Sequence, residues 1–245
     1  MDVPPHPHID LATVTYLFEG AILHRDTLGN RQLIEPGAIN LMTAGKGIAH
    51  SERSPDDLRN AGHRVHGLQL WHALPAETEG CEPAFDHYPE EDIPSVRTHG
   101  VEIRVLMGTA YGRISPVKDL AGALYLEYRM DGESSMIIPA LADERAMYLI
   151  DGTLSVDGVE LPVGRLALLE PGSRIVQSGG PCRFVIIGGK SLGRRYMWWN
   201  FVSSKRENIE AAMEEWKNGS YPAVVDDPGP PVPLPESDSY SFMKD

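Results

Sequence analysis

The sequence predicts an all-β protein made of two similar domains, each of them a sandwich or a barrel. The first observation is that short apolar runs, rich in β-branched residues, recur along the chain between turn signals. The second is that 24 Gly and 20 Pro in 245 residues favour turns over long helices. The third is that two patterns from the first half of the chain return in the second half.

The predicted strands of the first half follow one another closely. The first of them is β-branched and aromatic and ends at Glu19-Gly20. The next two flank Thr27-Leu28-Gly29-Asn30, which has the residue types of a hairpin turn. In chain order, the strands are predicted over residues 13–18, 22–26, 31–34, 38–43 and 48–53.

The repeated patterns indicate an internal duplication. YLFEG at 16–20 is echoed by YLIDG at 148–152, an offset of 132 residues. PGAINL at 36–41 is echoed by VGRLAL at 163–168, an offset of 127 residues. The second copy is therefore expected to have a shorter hairpin than the first. The alternative is a chance similarity between two β-turn sequences.

The second half adds a linker, one helix and a tail. Residues 82–95 are acidic and proline-rich and are predicted to be a linker. Ser204 and Glu207 form a predicted capping box, and the apolar side chains of Ile209, Met213 and Trp216 share one face of the helix that follows. The proline-rich end is expected to be either loose or laid over a domain. We thus predict a first domain over 1–95, a second over 96–220 and a tail over 221–245.

Charge and composition exclude several classes of protein. Lys and Arg number 22 against 35 Asp and Glu, a net charge of −13 that disfavours direct nucleic-acid binding. Cys81 and Cys182 are too few for a disulfide framework, which fits a reducing compartment. No apolar run approaches the ~18 residues of a membrane span, and the first residues lack the pattern of a signal peptide. We therefore expect a cytoplasmic protein with no membrane association.

Two short motifs suggest a metal site. All nine histidines lie within the first 99 residues. His6 and His8 are two residues apart, and so are His50 and Glu52; in extended strands each pair would point to one face. Two such pairs on neighbouring strands would offer three imidazoles and one carboxylate, a set that suits Fe(II), Mn, Ni, Cu or Zn. The alternative is that both motifs are ordinary surface residues.

The duplication predicts that the second domain binds no metal. The positions that correspond to the four candidate ligands are Ile138, Ala140, Gln177 and Gly179. None of these is an imidazole or a carboxylate. We therefore expect one metal per chain, in the first domain, and a role in packing or substrate enclosure for the second.

Four segments, one of them HRDTLGN at 24–30, resemble the pirin family of the cupin superfamily. The other three are HPHIDLATVTYLFEG at 6–20, EPGAINLMTAGKGIAHSE at 35–52 and HGLQLWHALP at 66–75, and the resemblance runs from about residue 3 to residue 220. It implies a bicupin: two tandem antiparallel jelly-roll barrels with a short C-terminal helix. It also implies one mononuclear metal, usually iron, held by residues that match His6, His8, His50 and Glu52.

The chain departs from the family pattern in three places. Ala12 stands where the general cupin motif has a Glu, so the carboxylate is expected to come from Glu52, as in pirins. Ile9-Asp10 follows the second histidine where pirins commonly have Arg-Gly, so we expect different substrate contacts near the metal. Pirins also have a longer segment before this motif, so we expect either an alternative start or exposed edge strands.

The resemblance implies a quercetin 2,3-dioxygenase type of activity, in which O₂ opens a flavonol with loss of carbon monoxide. The substrate would then be a small phenol or enol bound to a divalent metal, expected to be Fe(II), with Cu, Mn, Ni or Zn as alternatives. Glu52 would act as ligand and as base for the substrate hydroxyl. The alternatives are a non-catalytic, iron-binding redox-sensing regulator that binds protein partners, and a bicupin with a vestigial metal pocket.

The other histidines are expected to have lesser roles. His24 is predicted to be a structural hydrogen-bonding residue rather than a ligand. One histidine of the group His63, His66 and His72 is expected at the mouth of the pocket, where it would support the ligands or exchange protons.

Overall fold

The computed structural model describes residues 1–236 and consists mainly of β-strands. It confirms the predicted all-β class. Residues 237–245, the end of the predicted tail, lie outside the described part. No helix in that part is long and apolar enough to cross a membrane.

The chain divides into two compact units, which are described separately. One unit is formed by Met1–Glu90 together with the chain from Leu192 onward, and the other by Glu91–Ser191. The predicted second domain, 96–220, extends beyond the second of these units.

The first unit contains two four-stranded antiparallel sheets, ordered β1-β6-β3-β4 and β7-β2-β5-β8. The predicted hairpin is confirmed, with both strands at the predicted bounds. Its elements are β1 (Asp2–His8), β2 (Leu11–Glu19), β3 (Ile22–Asp26), β4 (Arg31–Ile34), β5 (Ile39–Thr43), β6 (Ile48–Arg53), α1 (Asp56–Ala61), β7 (His66–Ala73), β8 (Ala84–Tyr88), β21 (Tyr196–Trp198), β22 (Phe201–Ser203) and α2 (Arg206–Lys217).

The segment predicted to be a linker is partly a strand. Within it, β8 pairs with β5, so that Tyr88 lies opposite Ile39 and Ala84 opposite Thr43. Because β8 is the edge of its sheet, it tolerates flanking prolines and acidic residues that a central strand would exclude. That composition made the strand resemble a linker.

The second unit has a six-stranded sheet, ordered β18-β15-β20-β13-β10-β9, and a four-stranded sheet, ordered β14-β19-β16-β17. Its interior is apolar: the rings of Tyr128 and Phe184 stack 4.6 Å apart among buried aliphatic side chains. Its strands are β9 (Ser95–Thr98), β10 (Val101–Met107), β11 (Thr109–Ala110), β12 (Arg113–Ile114), β13 (Leu124–Met130), β14 (Glu133–Ile138), β15 (Glu144–Asp151), β16 (Leu154–Val156), β17 (Val159–Leu161), β18 (Leu166–Leu169), β19 (Arg174–Gly179) and β20 (Cys182–Gly189).

The two units repeat one strand pairing but not its register. In the first unit β1 pairs with β6, and in the second β14 pairs with β19. The sequence offsets would set Ile138 opposite Gln177, as His6 is opposite His50. In the structure Ile138 lies opposite Arg174 instead. The duplication therefore relates whole strands, and a fixed offset does not match them residue by residue.

The C-terminal helix packs in the first unit rather than in the second. Ile209 and Met213 of α2 form a buried cluster with Ile9, Trp198 and Phe201. The apolar stripe of the helix was visible in the sequence, but a stripe does not specify the surface that it covers. Packing against Ile9, at the end of β1, explains why the chain after Leu192 belongs to the first unit.

The predicted capping box is wrong. Helix α2 begins after Lys205, which makes no side-chain cap. Ser204 instead donates its hydroxyl and its backbone N–H to the buried carboxylate of Glu79, at 2.6 and 2.9 Å. A buried carboxylate needs donors more than an exposed helix end does, because the helix end can be hydrated.

The described part of the tail lies over the first unit. Arg53 donates to both carboxylate oxygens of Asp227, at 2.9 and 3.1 Å. Further along, Val232 donates its backbone N–H to the carbonyl of Pro5 and accepts a hydrogen bond from the Trp216 indole. The tail was predicted to be either loose or laid over a domain. Residues 221–236 lie over the first unit.

Replacing Asp227 should destabilise the protein in a pH-dependent way. The hydrogen bonds from Arg53 hold the pKa of Asp227 at about 2. The carboxylate therefore stabilises the fold when the pH is above the usual pKa of an Asp side chain. This contribution is lost as the pH falls from 4 towards 2. Asp227→Asn should lower the free energy of unfolding by about 1–2 kcal/mol at pH 7. Urea unfolding of both proteins between pH 7 and pH 3 measures the difference, which should shrink with acid.

The matched control is Asp226→Asn, whose carboxylate is exposed next to Asp227. It should unfold like the native protein at every pH. An equal loss in both variants would show that the pair formed by Arg53 and Asp227 has no special role.

Candidate metal centre

Three buried histidines meet where β1 and β6 pair. His6 lies directly opposite His50 in the ladder, and His8 is two residues further along β1, on the same face as His6. One ring nitrogen from each of the three lies within 4.8 Å of the others. The ring centroids are 4.3 Å apart for His6 and His50, and 5.1 Å apart for the other two pairs. This cluster could hold a metal ion.

Backbone carbonyls fix two of the rings. The Nδ1 atom of His6 donates to the carbonyl of Pro4, and the Nδ1 atom of His8 donates to the carbonyl of Asn200, both at 2.9 Å. A ring that donates through Nδ1 keeps a lone pair on Nε2 while it is neutral. That lone pair is the one available to a metal.

The inward nitrogens fit a cation. The Nε2 atoms of His8 and His50 are buried, and neither has a hydrogen-bond partner within the described residues. Buried polar atoms are rarely left in this state, because each one costs the free energy of its lost hydration. Two such atoms that share one site with a third imidazole have the donor chemistry of a metal centre.

Burial keeps the rings neutral. It lowers the pKa of His8 to about 3, and it lowers the pKa of His50 well below its usual value. Burial also lowers the pKa of His6, with a smaller contribution from the neighbouring His24. Neutral imidazole is the form that binds metals, so a metal would not have to displace protons from these rings near neutral pH.

The third ring is fixed by side chains. The Nδ1 atom of His50 lies 3.4 Å from the Nδ1 atom of His24, and the Nε2 atom of His24 lies 3.0 Å from the carboxylate of Asp26. Both partners come from β3, which pairs with β6. His24 is thus a hydrogen-bonding residue, as its sequence context predicts, but its contact with a candidate ligand was not predicted. Its place two residues before Asp26, in the strand before the hairpin turn, was the available signal.

Glu52 lies beside the cluster but is engaged elsewhere. It is buried two residues after His50 on β6, and its Oε1 accepts a hydrogen bond of 2.6 Å from Gln69. Burial raises the pKa of this carboxyl, although the Gln69 hydrogen bond opposes the change. Of the four predicted ligands, the structure brings His6, His8 and His50 together and leaves Glu52 outside their 4.8 Å group.

A cavity opens next to Glu52. Its volume is about 350 Å³, and its wall combines the polar side chains of Glu52, Gln69 and His63 with apolar ones, among them Leu17 and Leu68. His63, a member of the predicted group, thus lines this cavity, and its Nε2 lies 3.0 Å from the hydroxyl of Ser54.

One large aromatic side chain stands beside the cluster. Trp71 meets the ring of His8 edge-on, with ring centroids 5.3 Å apart. It lies on β7, an edge strand of its sheet, and remains 40% exposed. An exposed indole next to candidate ligands offers a flat apolar face to a small molecule.

Comparison with known proteins places these residues in a family context. The family model Pirin matches residues 1–72, and the model for the pirin C-terminal cupin domain matches residues 125–222. A pirin-like protein of Caulobacter vibrioides is 40% identical over 237 residues, which cover 96% of this chain and 82% of that protein.

Solved structures agree with the fold. A quercetin 2,3-dioxygenase from Acinetobacter baumannii superposes with a TM-score of 0.89 and 33% identity, over 98% of this chain and 80% of that one. The bacterial pirin YhhW from Escherichia coli, solved in complex with nickel(II), has a TM-score of 0.60 and 20% identity, over 76% of each chain. The second likeness is too distant to show more than a shared fold.

Removing one imidazole should remove the metal. We expect one ion per chain in the native protein and none in His50→Ala, because the remaining ligands lose a neutral donor at the centre of the cluster. Elemental analysis of untagged protein measures both. The control is His99→Ala, since His99 lies in a turn of the other unit and is not one of the clustered histidines. Two ions per chain, or an ion retained by His50→Ala, would contradict the assignment.

Proposed function

The chain belongs to the pirin family, and on that premise we propose that it is a metal-dependent dioxygenase of the quercetin 2,3-dioxygenase type. One divalent ion per chain would be held by His6, His8, His50 and Glu52. The observation that supports this most directly is the pair of buried, unpartnered Nε2 atoms that share the cluster with His6. The similarity to a quercetin 2,3-dioxygenase at 33% identity supports the reaction class.

The proposed metal is Fe(II). Imidazole and carboxylate ligands also suit Ni, Mn, Cu and Zn, and the E. coli pirin has been solved with nickel(II). When bound, the metal would act as a Lewis acid towards a substrate hydroxyl and as a centre for O₂ chemistry. The donor set alone does not select one of these ions, so the choice of Fe(II) follows from the family.

Glu52 would act as the base. Its Oε1 is held by Gln69, which fixes the plane of the carboxylate and leaves Oε2 to accept the proton of a substrate hydroxyl. The group lines the cavity, where a substrate could approach it. A buried carboxylate is a stronger base than an exposed one, because burial disfavours its charged form.

The proposed substrate is a small phenol or enol with a flat ring system. The cavity, at about 350 Å³, falls in the range of small-molecule sites. Leu17 and Leu68, which line the cavity, would exclude water from a bound ring. A cytoplasmic location also remains a proposal; it agrees with the free thiols of Cys81 and Cys182.

Glu52→Gln should separate binding from turnover. The amide keeps a ligand oxygen of similar shape but loses the charge and the basicity, so some metal should remain while flavonol turnover falls by about 100- to 10,000-fold. Because the lost charge also weakens metal binding, turnover must be compared at equal metal content. Full turnover by a fully loaded Glu52→Gln protein would show that Glu52 is not the base.

An oxygen-consumption assay tests the activity itself. Protein loaded in turn with Fe, Cu, Mn and Ni should consume O₂ with quercetin and release carbon monoxide for at least one metal. The same preparations, in both iron oxidation states, can be tested for stable binding of protein partners. Absence of turnover with every metal, together with oxidation-dependent partner binding, would favour a redox-sensing regulator over an enzyme.

A further inference from the structure

We propose that His24 and Asp26 are positioning residues that fix His50 in the tautomer able to bind the metal. This inference rests on the proposed metal centre and goes beyond its ligand set. The contacts run in one line, from His50 through His24 to Asp26, with nitrogen–nitrogen and nitrogen–oxygen distances of 3.4 and 3.0 Å. All three side chains are buried.

The direction of the hydrogen bonds follows from Asp26, the last residue in this line of contacts. A carboxylate only accepts hydrogen bonds, so the Nε2 atom of His24 carries the proton that points to Asp26. A neutral His24 then has a bare Nδ1, which can only accept. With His24 in this neutral form, the Nδ1 atom of His50 is the donor across the 3.4 Å contact. That leaves a lone pair on the Nε2 atom of His50, the buried atom without a partner.

The hairpin turn holds Asp26 in place. Its Oδ1 accepts the backbone N–H groups of Leu28 and Asn30, at 2.9 and 3.0 Å. The side-chain amide of Asn30 also reaches both carboxylate oxygens, at 3.1 and 2.9 Å. These donors offset the cost of burying the charge and fix the direction of Oδ2. The hairpin turn thus fixes the position of Asp26, to which His24 is hydrogen-bonded.

An aromatic contact fixes the plane of His24. The ring of Phe85 stacks on it, with centroids 4.4 Å apart and an interplanar angle of 18°. A ring that is held at both nitrogens and along one face has little freedom to turn. Phe85 lies on β8, the edge strand in the segment that was predicted to be a linker. This strand therefore also helps to hold His24 in place.

His50 is the ligand for which side chains carry this role. His6 and His8 donate to the backbone carbonyls of Pro4 and Asn200, which no substitution of a side chain removes. The acceptor of His50 is the His24 side chain, and it can be deleted. This contrast makes the proposal testable without touching any proposed ligand.

The first test reads the tautomer directly. Long-range ¹⁵N–¹H NMR of the chelator-treated, full-length protein should show His50 protonated on Nδ1 and bare on Nε2. In His24→Phe, which keeps a flat ring but has no acceptor, His50 should lose this preference. Finding His50 protonated on Nε2 in the native protein would overturn the proposal, and a fold that is merely loosened would not reverse the tautomer.

The second test measures metal affinity by competition with a chelator, using Ni²⁺ and Fe²⁺ as probes. His24→Phe should weaken binding by about 10- to 100-fold, and Asp26→Asn, which keeps an acceptor oxygen, by about 10-fold. His66→Phe, a histidine packed on Phe18 and outside the line, should bind as the native protein does. Melting temperatures of the metal-free proteins show whether each variant folds.

The outcomes separate the inference from the function that it rests on. If the native protein binds neither ion, the proposed metal centre fails. If the native protein binds and both His24→Phe and Asp26→Asn bind equally well, the inference fails while the metal centre stands. If His24→Phe does not fold, Asp26→Asn and the native tautomer still decide the matter.

Discussion

Three neutral imidazoles share a small volume inside the first unit, and each needs an acceptor for its outer N–H. This constraint organises much of that unit. Rings within 4.8 Å of one another cannot all be charged, and burial keeps them neutral. A neutral ring offers a lone pair inward only if its outer nitrogen donates outward. Parts of the surrounding structure hold in place the groups that accept hydrogen bonds from these outer N–H groups.

The acceptors come from three separate parts of the chain. His6 uses a carbonyl two residues before it, His8 uses the carbonyl of Asn200, and His50 uses His24. Each acceptor is held by a different structural element. The bulged β1–β6 ladder holds that of His6, the short hairpin β21–β22 holds that of His8, and the turn after β3 holds that of His50. Loss of any one of these elements would leave a buried N–H unsatisfied, which costs about 1–3 kcal/mol.

The sequence revealed the features that depend on local periodicity. The i, i+2 spacing of His6 with His8, and of His50 with Glu52, was enough to expect shared faces, because side chains in strands alternate. The hairpin was visible because its turn residues have a strong local preference. The features that could not be seen depend on register and packing. Nothing near His8 in sequence indicates Asn200, and no local pattern shows that Gln69 would hold Glu52.

The discontinuity of the first unit has a consequence for the order of folding during synthesis. The unit Glu91–Ser191 is continuous, so all of its residues have been synthesised before the last part of the first unit is translated. The carbonyl of Asn200 is therefore absent when β1 and β6 have already been made. The imidazole of His8 therefore lacks the acceptor of its Nδ1 hydrogen bond until Asn200 has been translated. A nascent chain stalled before that residue would contain the three clustered histidines, but not the carbonyl that accepts the hydrogen bond of His8.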